Sequence, residues 1–207
     1  LQLGERGFSF QRDGPLDMRM GRDGITAEDI VNEYSEARLE RIFREHGEER
    51  DARRVARALA SARERSRIRT TGELRQVILS AKRGRERRPE GRHDGGQIDA
   101  ATLVFQALRI EVNQELDQLS RLMDEAVRRL ESDGRLVLIS YHSLEDRIVK
   151  NALRDFDRGE IDEITGRSRS ETRLIEVLTR KPVRPQEPEI ATNPRARSAR
   201  LRAARRL

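Results

Sequence analysis

The stretch Arg135-Leu136-Val137-Leu138-Ile139-Ser140-Tyr141-His142-Ser143 decides the fold class. Its apolar residues are consecutive rather than alternating, which is typical of a strand buried on both faces of a parallel sheet. Helical spacing of apolar residues precedes it over residues 98–131 and follows it over residues 144–155. Helix, turn, strand, loop and helix form half of a doubly wound layer, so the sequence predicts an α/β fold.

The residues directly after this strand are the first candidates for a functional site. In open α/β sheets, ligands bind outside the carboxyl ends of the strands, and His142 and Ser143 occupy that place. Two readings of Ser143 are open: it faces the crevice, or it caps the next helix with Asp146 completing a capping box. His142 is either a site residue or an ordinary structural histidine.

Residues 25–83 have the pattern of short amphipathic helices around one small core. Thr26 and Thr70 each begin a capping-box pattern, and Ser35 is a candidate cap between them. The charged stretch 82–97 is predicted to be a link. Towards the end of the chain, residues 173–179 predict a strand, and residues 198–203 allow a last edge strand.

Composition narrows the functional class. The 207 residues include 43 Lys+Arg and 37 Asp+Glu, a net charge of +6, and the only lysines are Lys82, Lys150 and Lys181. The arginine guanidinium group is well shaped to bind phosphates and the edges of bases, so a nucleic acid is the expected partner. The alternative is a general compositional bias that places arginine on every solvent-exposed face.

The absence of cysteine excludes a disulfide scaffold and a thiolate zinc site, and no metal is expected. No apolar run approaches the roughly 20 residues of a membrane span. We expect a soluble, cytoplasmic protein without a membrane partner.

Several common catalytic patterns are absent from the sequence. Gly-x-Ser-x-Gly does not occur, and neither does a glycine-rich phosphate loop. Residues 1–24 instead mix glycine and proline with aromatic residues and methionine, which is the composition of an ordered, functional loop.

Five blocks of sequence resemble the RsmH (MraW) methyltransferases, bacterial enzymes that use S-adenosylmethionine to methylate N4 of a cytidine in 16S ribosomal RNA. The longest has a dozen consecutive residues, Ile139 to Lys150. The other blocks are Gly7-Phe8-Ser9-Phe10 through Asp13-Gly14-Pro15-Leu16-Asp17-Met18-Arg19-Met20, Gly47-Glu48-Glu49-Arg50 with Arg53 and Val55-Ala56-Arg57-Ala58, Phe105-Gln106-Ala107-Leu108-Arg109-Ile110 with Val112-Asn113 and Glu115-Leu116, and Asn193-Pro194-Arg195-Ala196-Arg197-Ser198-Ala199 with Leu201-Arg202.

The resemblance implies a class I (Rossmann-like) methyltransferase sheet, here incomplete, with an inserted all-α domain. Residues 1–24 would be an active-site segment, 25–95 the insertion and its linker, and 96–207 the last part of the methyltransferase domain. It also implies that the family's glycine-rich turn precedes Leu1. We therefore expect the 207 residues alone to be inactive and to bind the cofactor weakly, with Gln2 as its one contact.

The resemblance also implies residue roles. A site for cytosine must take the base out of any stack, orient its amine and accept a proton. Small-subunit ribosomal RNA, or the small ribosomal subunit, is the expected partner. A non-catalytic basic RNA-binding or ribosome-associated protein is the alternative. The predicted residues are Asp17 and His142 as catalytic groups, Phe8, Phe10, Ser143 and Asn193 in the substrate pocket, and Arg19, Arg195 and Arg197 on RNA phosphates.

Overall fold

The computed structural model describes residues 6–8, 13–82 and 99–207. Gln2, Phe10 and almost all of the predicted link lie outside the described residues. The chain divides into two compact units, Leu1–Glu115 and Leu116–Leu207. None of the described helices is long and apolar enough to cross a membrane. The domain boundaries drawn from the sequence stay a prediction.

The described part of the first unit is helical, as its caps predict. Thr26 and Asp29 form the capping box that begins the first helix. Ser35 caps the second helix by accepting from the Arg38 N–H. Thr70 accepts from the Glu73 N–H at 3.2 Å, which confirms the third cap. The helices are α1 (Ala27–Glu33), α2 (Glu36–Glu45), α3 (Ala52–Arg63), α4 (Thr71–Lys82) and α5 (Thr102–Asn113).

One core joins these helices. Apolar residues spaced three and four apart are buried on the inner face of each helix, as amphipathic periodicity requires. Two residues of the opening loop, Leu16 and Met18, are each only 1% exposed and belong to this core. The fully buried helical members include Ile30, Leu39, Phe43, Val55, Leu59, Leu74, Ile78 and Leu108.

The helix predicted over residues 98–131 is two helices, so that prediction was wrong. Helix α5 ends at Asn113, and α6 (Glu115–Arg129) begins after Gln114, whose φ of 50° lies in the left-handed region. A left-handed residue interrupts the i to i−4 hydrogen bonds of a helix. Because the apolar spacing continues in phase through the break, periodicity alone could not reveal it.

The second unit contains a three-stranded sheet in the order β1-β3-β2. Strand β3 pairs antiparallel with both neighbours, so it lies in the centre and not at an edge, which corrects the prediction for residues 198–203. Met123, Val127, Val149 and Leu153 of the helices pack on one face of the sheet. The elements after α6 are β1 (Arg135–Ser140), α7 (Ser143–Arg158), β2 (Ile175–Val177), α8 (Glu187–Thr192) and β3 (Arg200–Arg206).

The mixed α/β class is confirmed, but β1 is not buried on both faces among the described residues. Leu136 and Leu138 pack towards the helices. Val137 and Ile139 point to the opposite face and are 55% and 56% exposed. The prediction of a parallel partner also fails for the described strands, because β1 pairs antiparallel with β3. A continuous apolar run indicates two apolar faces, and it does not specify which strand pairs with it.

Candidate functional site

The loop that carries Asp17 is held by main-chain hydrogen bonds to the helical core. Leu16 N–H donates to Arg69 O at 3.0 Å, and its carbonyl accepts from Glu28 N–H at 2.7 Å. The Asp17 carbonyl accepts from Ala27 N–H at 2.8 Å. The backbone on both sides of the Asp17 carboxylate is therefore fixed.

Asn113 holds the next residues of the loop and was not among the predicted site residues. Its side-chain N–H donates to Met18 O at 2.8 Å, and its side-chain oxygen accepts from Met20 N–H at 2.8 Å. Met18 itself has a φ of 62°, a conformation that costs a non-glycine residue free energy. Asn113 therefore clamps the backbone around Arg19. The Val112-Asn113 block of the resemblance was the one signal in the sequence for this role.

Asp17 and Arg19 form a forked ion pair inside this loop. Arg19 Nε lies 2.7 Å from Asp17 Oδ1, and a terminal guanidinium nitrogen donates to Asp17 Oδ2 at 3.0 Å. Arg19 also donates to Arg22 O at 2.8 Å. The hydrogen bond from Arg19 lowers the pKa of Asp17 and outweighs burial, so the carboxylate is ionised at neutral pH. Several N–H donors of the Arg19 guanidinium are therefore already used in hydrogen bonds within the loop.

Phe8 packs, half-buried, against the core of the first unit. This contact supports a packing role for the ring.

His142 begins helix α7 in the second unit. Its backbone is extended, with φ −136° and ψ 167°, and its Nδ1 accepts from Glu145 N–H at 3.4 Å. The Glu145 carboxylate in turn accepts from Tyr141 N–H at 2.8 Å. The N-cap is thus His142 with Glu145, and the reading of Ser143 with Asp146 as the capping pair was wrong. Ser143 is the first residue of the helix instead, because the extended backbone ends one residue earlier.

The imidazole of His142 has one nitrogen in use and one buried. Its side chain is 13% exposed, and Nε2 lies 3.2 Å from Glu145 Oε1 without hydrogen-bond geometry to any described residue. Because Nδ1 accepts a hydrogen bond, a neutral ring carries its proton on Nε2. Burial raises the pKa of Glu145, but the neighbouring His142 and the hydrogen bond from the Tyr141 N–H outweigh it and lower the pKa overall.

Asp146 ties the first turn of α7 to the central strand. Arg202 Nε lies 2.7 Å from Asp146 Oδ1, and Arg200 lies 3.3 Å from Oδ2. Asp146 and Arg202 are only 8% and 6% exposed. The hydrogen bond from Arg202 lowers the pKa of Asp146 in spite of burial. This buried pair fixes the helix that begins at His142.

The predicted Asn193, Arg195 and Arg197 lie together at a short 3-10 turn, Pro194–Ser198. All three are exposed, while Ala196 between the arginines is buried. Neither arginine makes an ion pair or side-chain hydrogen bond with another described residue. The turn presents two uncompensated positive charges to solvent.

Removing the Glu145 side chain is expected to destabilise the second unit. Glu145→Ala deletes the reciprocal half of the capping box, for a cost of about 1 kcal/mol in the free energy of unfolding. Urea denaturation measures the change. The exposed Glu163→Ala serves as the matched control and should stay within about 0.5 kcal/mol of the parent. Equal stability of the two variants would contradict the capping role.

Comparison with known proteins places the chain in a family. The model of the MraW methylase family matches residues 1–207, the whole chain. The chain belongs to the MraW methylase family. Proteins named ribosomal RNA small subunit methyltransferase H are similar to it: 45% identity over 98% of the chain and 63% of the relative in Persephonella marina, and 50% identity over 100% of the chain and 59% of the relative in Koribacter versatilis.

This chain therefore spans about three-fifths of the length of the curated relatives it matches. Membership in a methylase family implies a methyl donor. Nucleotide-type cofactors are typically held by a glycine-rich turn after a strand. The described strands are instead followed by Tyr141, Leu178 and Leu207, so the described residues do not make up such a turn.

Proposed function

We propose that the protein methylates N4 of a cytidine in small-subunit (16S) ribosomal RNA, with S-adenosylmethionine as methyl donor. The observation that carries the proposal is the match of all 207 residues to the MraW methylase family, together with the names of the similar relatives. The sheet order, with an antiparallel strand between its two neighbours, is consistent with a class I methyltransferase sheet. This chain would supply loops that bind the nucleotide.

Asp17 is the better candidate for the group that accepts a hydrogen bond from the amine of the base. The lone pair of that amine is delocalised into the ring, so an acceptor for its N–H must hold it in position as the new bond forms. The Asp17 carboxylate is ionised and held on a fixed backbone. Oδ1 accepts from both the backbone N–H and the Nε of Arg19, whereas Oδ2 accepts one hydrogen bond from Arg19 and retains a further lone pair for the amine. Arg19 then acts by positioning this carboxylate.

His142 suits the opposite role, that of a hydrogen-bond donor. With Nδ1 accepting from the helix N-terminus, a neutral ring has its N–H at Nε2, which is buried beside Glu145 Oε1. Donation to the ring nitrogen or carbonyl oxygen of a pyrimidine therefore requires the His142 side chain to turn this nitrogen towards the base. Ser143, which follows it, and Asn193 are proposed as further contacts to the nucleotide. Arg195 and Arg197 are proposed to neutralise RNA phosphates, because their charges have no partner among the described residues.

Methyl transfer to small ribosomal subunits that lack the modification tests this function. The intact protein with S-adenosylmethionine is expected to methylate one cytidine, and mass spectrometry of the digested RNA should place the methyl group on N4. Transfer to a carbon atom, or to another kind of base, would contradict the proposal. Binding to subunits without any transfer would favour the non-catalytic alternative.

A further inference from the structure

Four arginines surround an open cavity in the first unit, and none of them has a role above. The cavity measures about 490 Å³ and is lined by Arg50, Arg53, Arg54 and Arg57 together with Asp51. Arg57 lies four residues after Arg53 and three after Arg54, so it neighbours both of them on the surface of helix α3. We call Arg50, Arg53, Arg54 and Arg57 the arginine surface.

The charges of Arg53, Arg54 and Arg57 are largely uncompensated among the described residues. Arg53 and Arg54 are exposed, and neither makes an ion pair or hydrogen bond with another described residue. Arg57 Nε lies 3.7 Å from a carboxylate oxygen of Glu36, and both side chains are largely exposed. An exposed pair at this distance contributes little stability, so the positive charge remains available to a ligand.

The turn that leads into α3 is rigidly built. A Cβ on Gly47 would lie 2.7 Å from the Phe43 and Leu103 carbonyl oxygens, and Glu48 adopts a φ of 50°. The Glu49 carboxylate is 5% exposed and is paired with Lys82. Backbone strain of this kind persists only where the surroundings determine it. The start of α3 is therefore held in one orientation.

The stability of α3 does not explain why arginines stand there. The first turn has no acidic residue, and Asp51 makes no side-chain cap hydrogen bond. Positive charges near a helix N-terminus oppose the helix dipole and cost free energy. The first turns of α1, α2 and α7 carry acidic residues instead. Arg53 and Arg54, in the first turn of α3, thus stand where their charge disfavours the helix, which is expected of residues that serve a ligand.

We propose that the arginine surface binds the phosphate backbone of the substrate RNA. The inference rests on the proposed function, since it assigns a further contact for the same substrate. Among the described residues, only charged side chains line the cavity, whereas the centre of a protein interface is usually apolar and poor in charge. Phosphate contacts are made by exposed arginine and lysine and need no apolar core. An RNA backbone therefore fits the surface better than an acidic protein.

The double variant Arg53→Gln, Arg54→Gln tests the inference in the intact protein. Affinity for a small-subunit ribosomal RNA fragment is expected to fall about tenfold, and the slope of log affinity against log salt by about 1.4, or about 0.7 for each lost phosphate contact. The melting temperature should stay equal or rise, because an adverse charge at a helix N-terminus is removed. The matched control is Arg121→Gln, Arg128→Gln on α6, which removes the same charge from exposed positions and should leave the slope unchanged.

The outcomes separate this inference from the proposed function. Failure of the unaltered protein to bind the RNA would count against the proposed function itself. Normal binding by the unaltered protein, with the same affinity and slope for the double variant, would overturn the inference alone. Loss of binding to assembled subunits but not to naked RNA would indicate a protein partner and would also overturn it. If the double variant unfolds, each single variant is expected to lower the slope by about 0.7.

Discussion

Replacing Asp146 with asparagine is expected to destabilise the second unit by about 3–5 kcal/mol, because it removes one charge of a buried pair. Arg202 would remain charged and almost fully buried at the centre of the sheet without a carboxylate. An unpaired buried charge carries a large desolvation penalty. Urea denaturation monitored by circular dichroism measures the lost free energy of unfolding.

Two further variants identify the cause of the loss. Asp155→Asn breaks an ion pair whose aspartate is half exposed, with Arg158 at 3.1 Å, and should cost at most about 1 kcal/mol. Asp146→Leu combined with Arg202→Met removes both charges and should cost less than Asp146→Asn alone. If the double replacement is the more damaging, the buried charge is not the reason for the loss.

The same pair predicts how stability depends on pH. The folded state holds the pKa of Asp146 below its usual value, so the unfolded state takes up a proton first as the pH falls. This contribution is therefore fully present above the unfolded pKa, about 3.9, and is lost as the pH falls through the lower folded pKa. Asp146→Asn should show a shallower loss of stability in that acidic range. Parallel pH profiles for the two proteins would contradict this.

Replacing Asp17 with alanine is expected to have the largest effect on methyl transfer, a fall in rate of about 10²–10⁴-fold at saturating RNA. The carboxylate is the proposed acceptor for the amine, and its loss leaves the base without that orientation. Single-turnover transfer to small ribosomal subunits measures the rate. Asp23→Ala, an exposed aspartate in the same loop, is the matched control and should retain the parent rate.

Arg19→Ala separates a direct role of Asp17 from its pairing with Arg19. If the carboxylate contacts the base, Arg19→Ala should reduce the rate less than Asp17→Ala, because the acceptor remains. Equal losses in both single variants and no further loss in the double variant would mean that the pair serves only to hold the loop. That result would remove Asp17 from the groups that touch the substrate.

The sequence predicted those features that depend on neighbours along the chain. The capping boxes at Thr26 and Thr70 are confirmed, and the strand predicted over residues 135–141 is found at Arg135–Ser140, because caps and short apolar runs act within a few residues. The resemblance of whole blocks also led to the correct family.

Other features could not be read from neighbours. The break at Gln114 lies in an unbroken apolar pattern, and the N-cap fell on His142 rather than Ser143 because backbone dihedrals decided it. The role of Asn113 comes from its hydrogen bonds to the Met18 carbonyl and the Met20 N–H, which lie more than 90 residues away along the chain.

Sequence alone was enough for the mixed α/β class, the family and the caps at Thr26, Ser35 and Thr70, since local hydrogen bonds and side-chain periodicity specify secondary structure. Only the tertiary structure decided that the last strand lies in the centre of the sheet, that Asp146 meets Arg202, and that Arg19 is bound to Asp17. These contacts join groups whose charges are visible in the sequence but whose partners are not. The interaction energy of two charges depends on the distance between them, and only the folded structure sets that distance for residues far apart in the sequence.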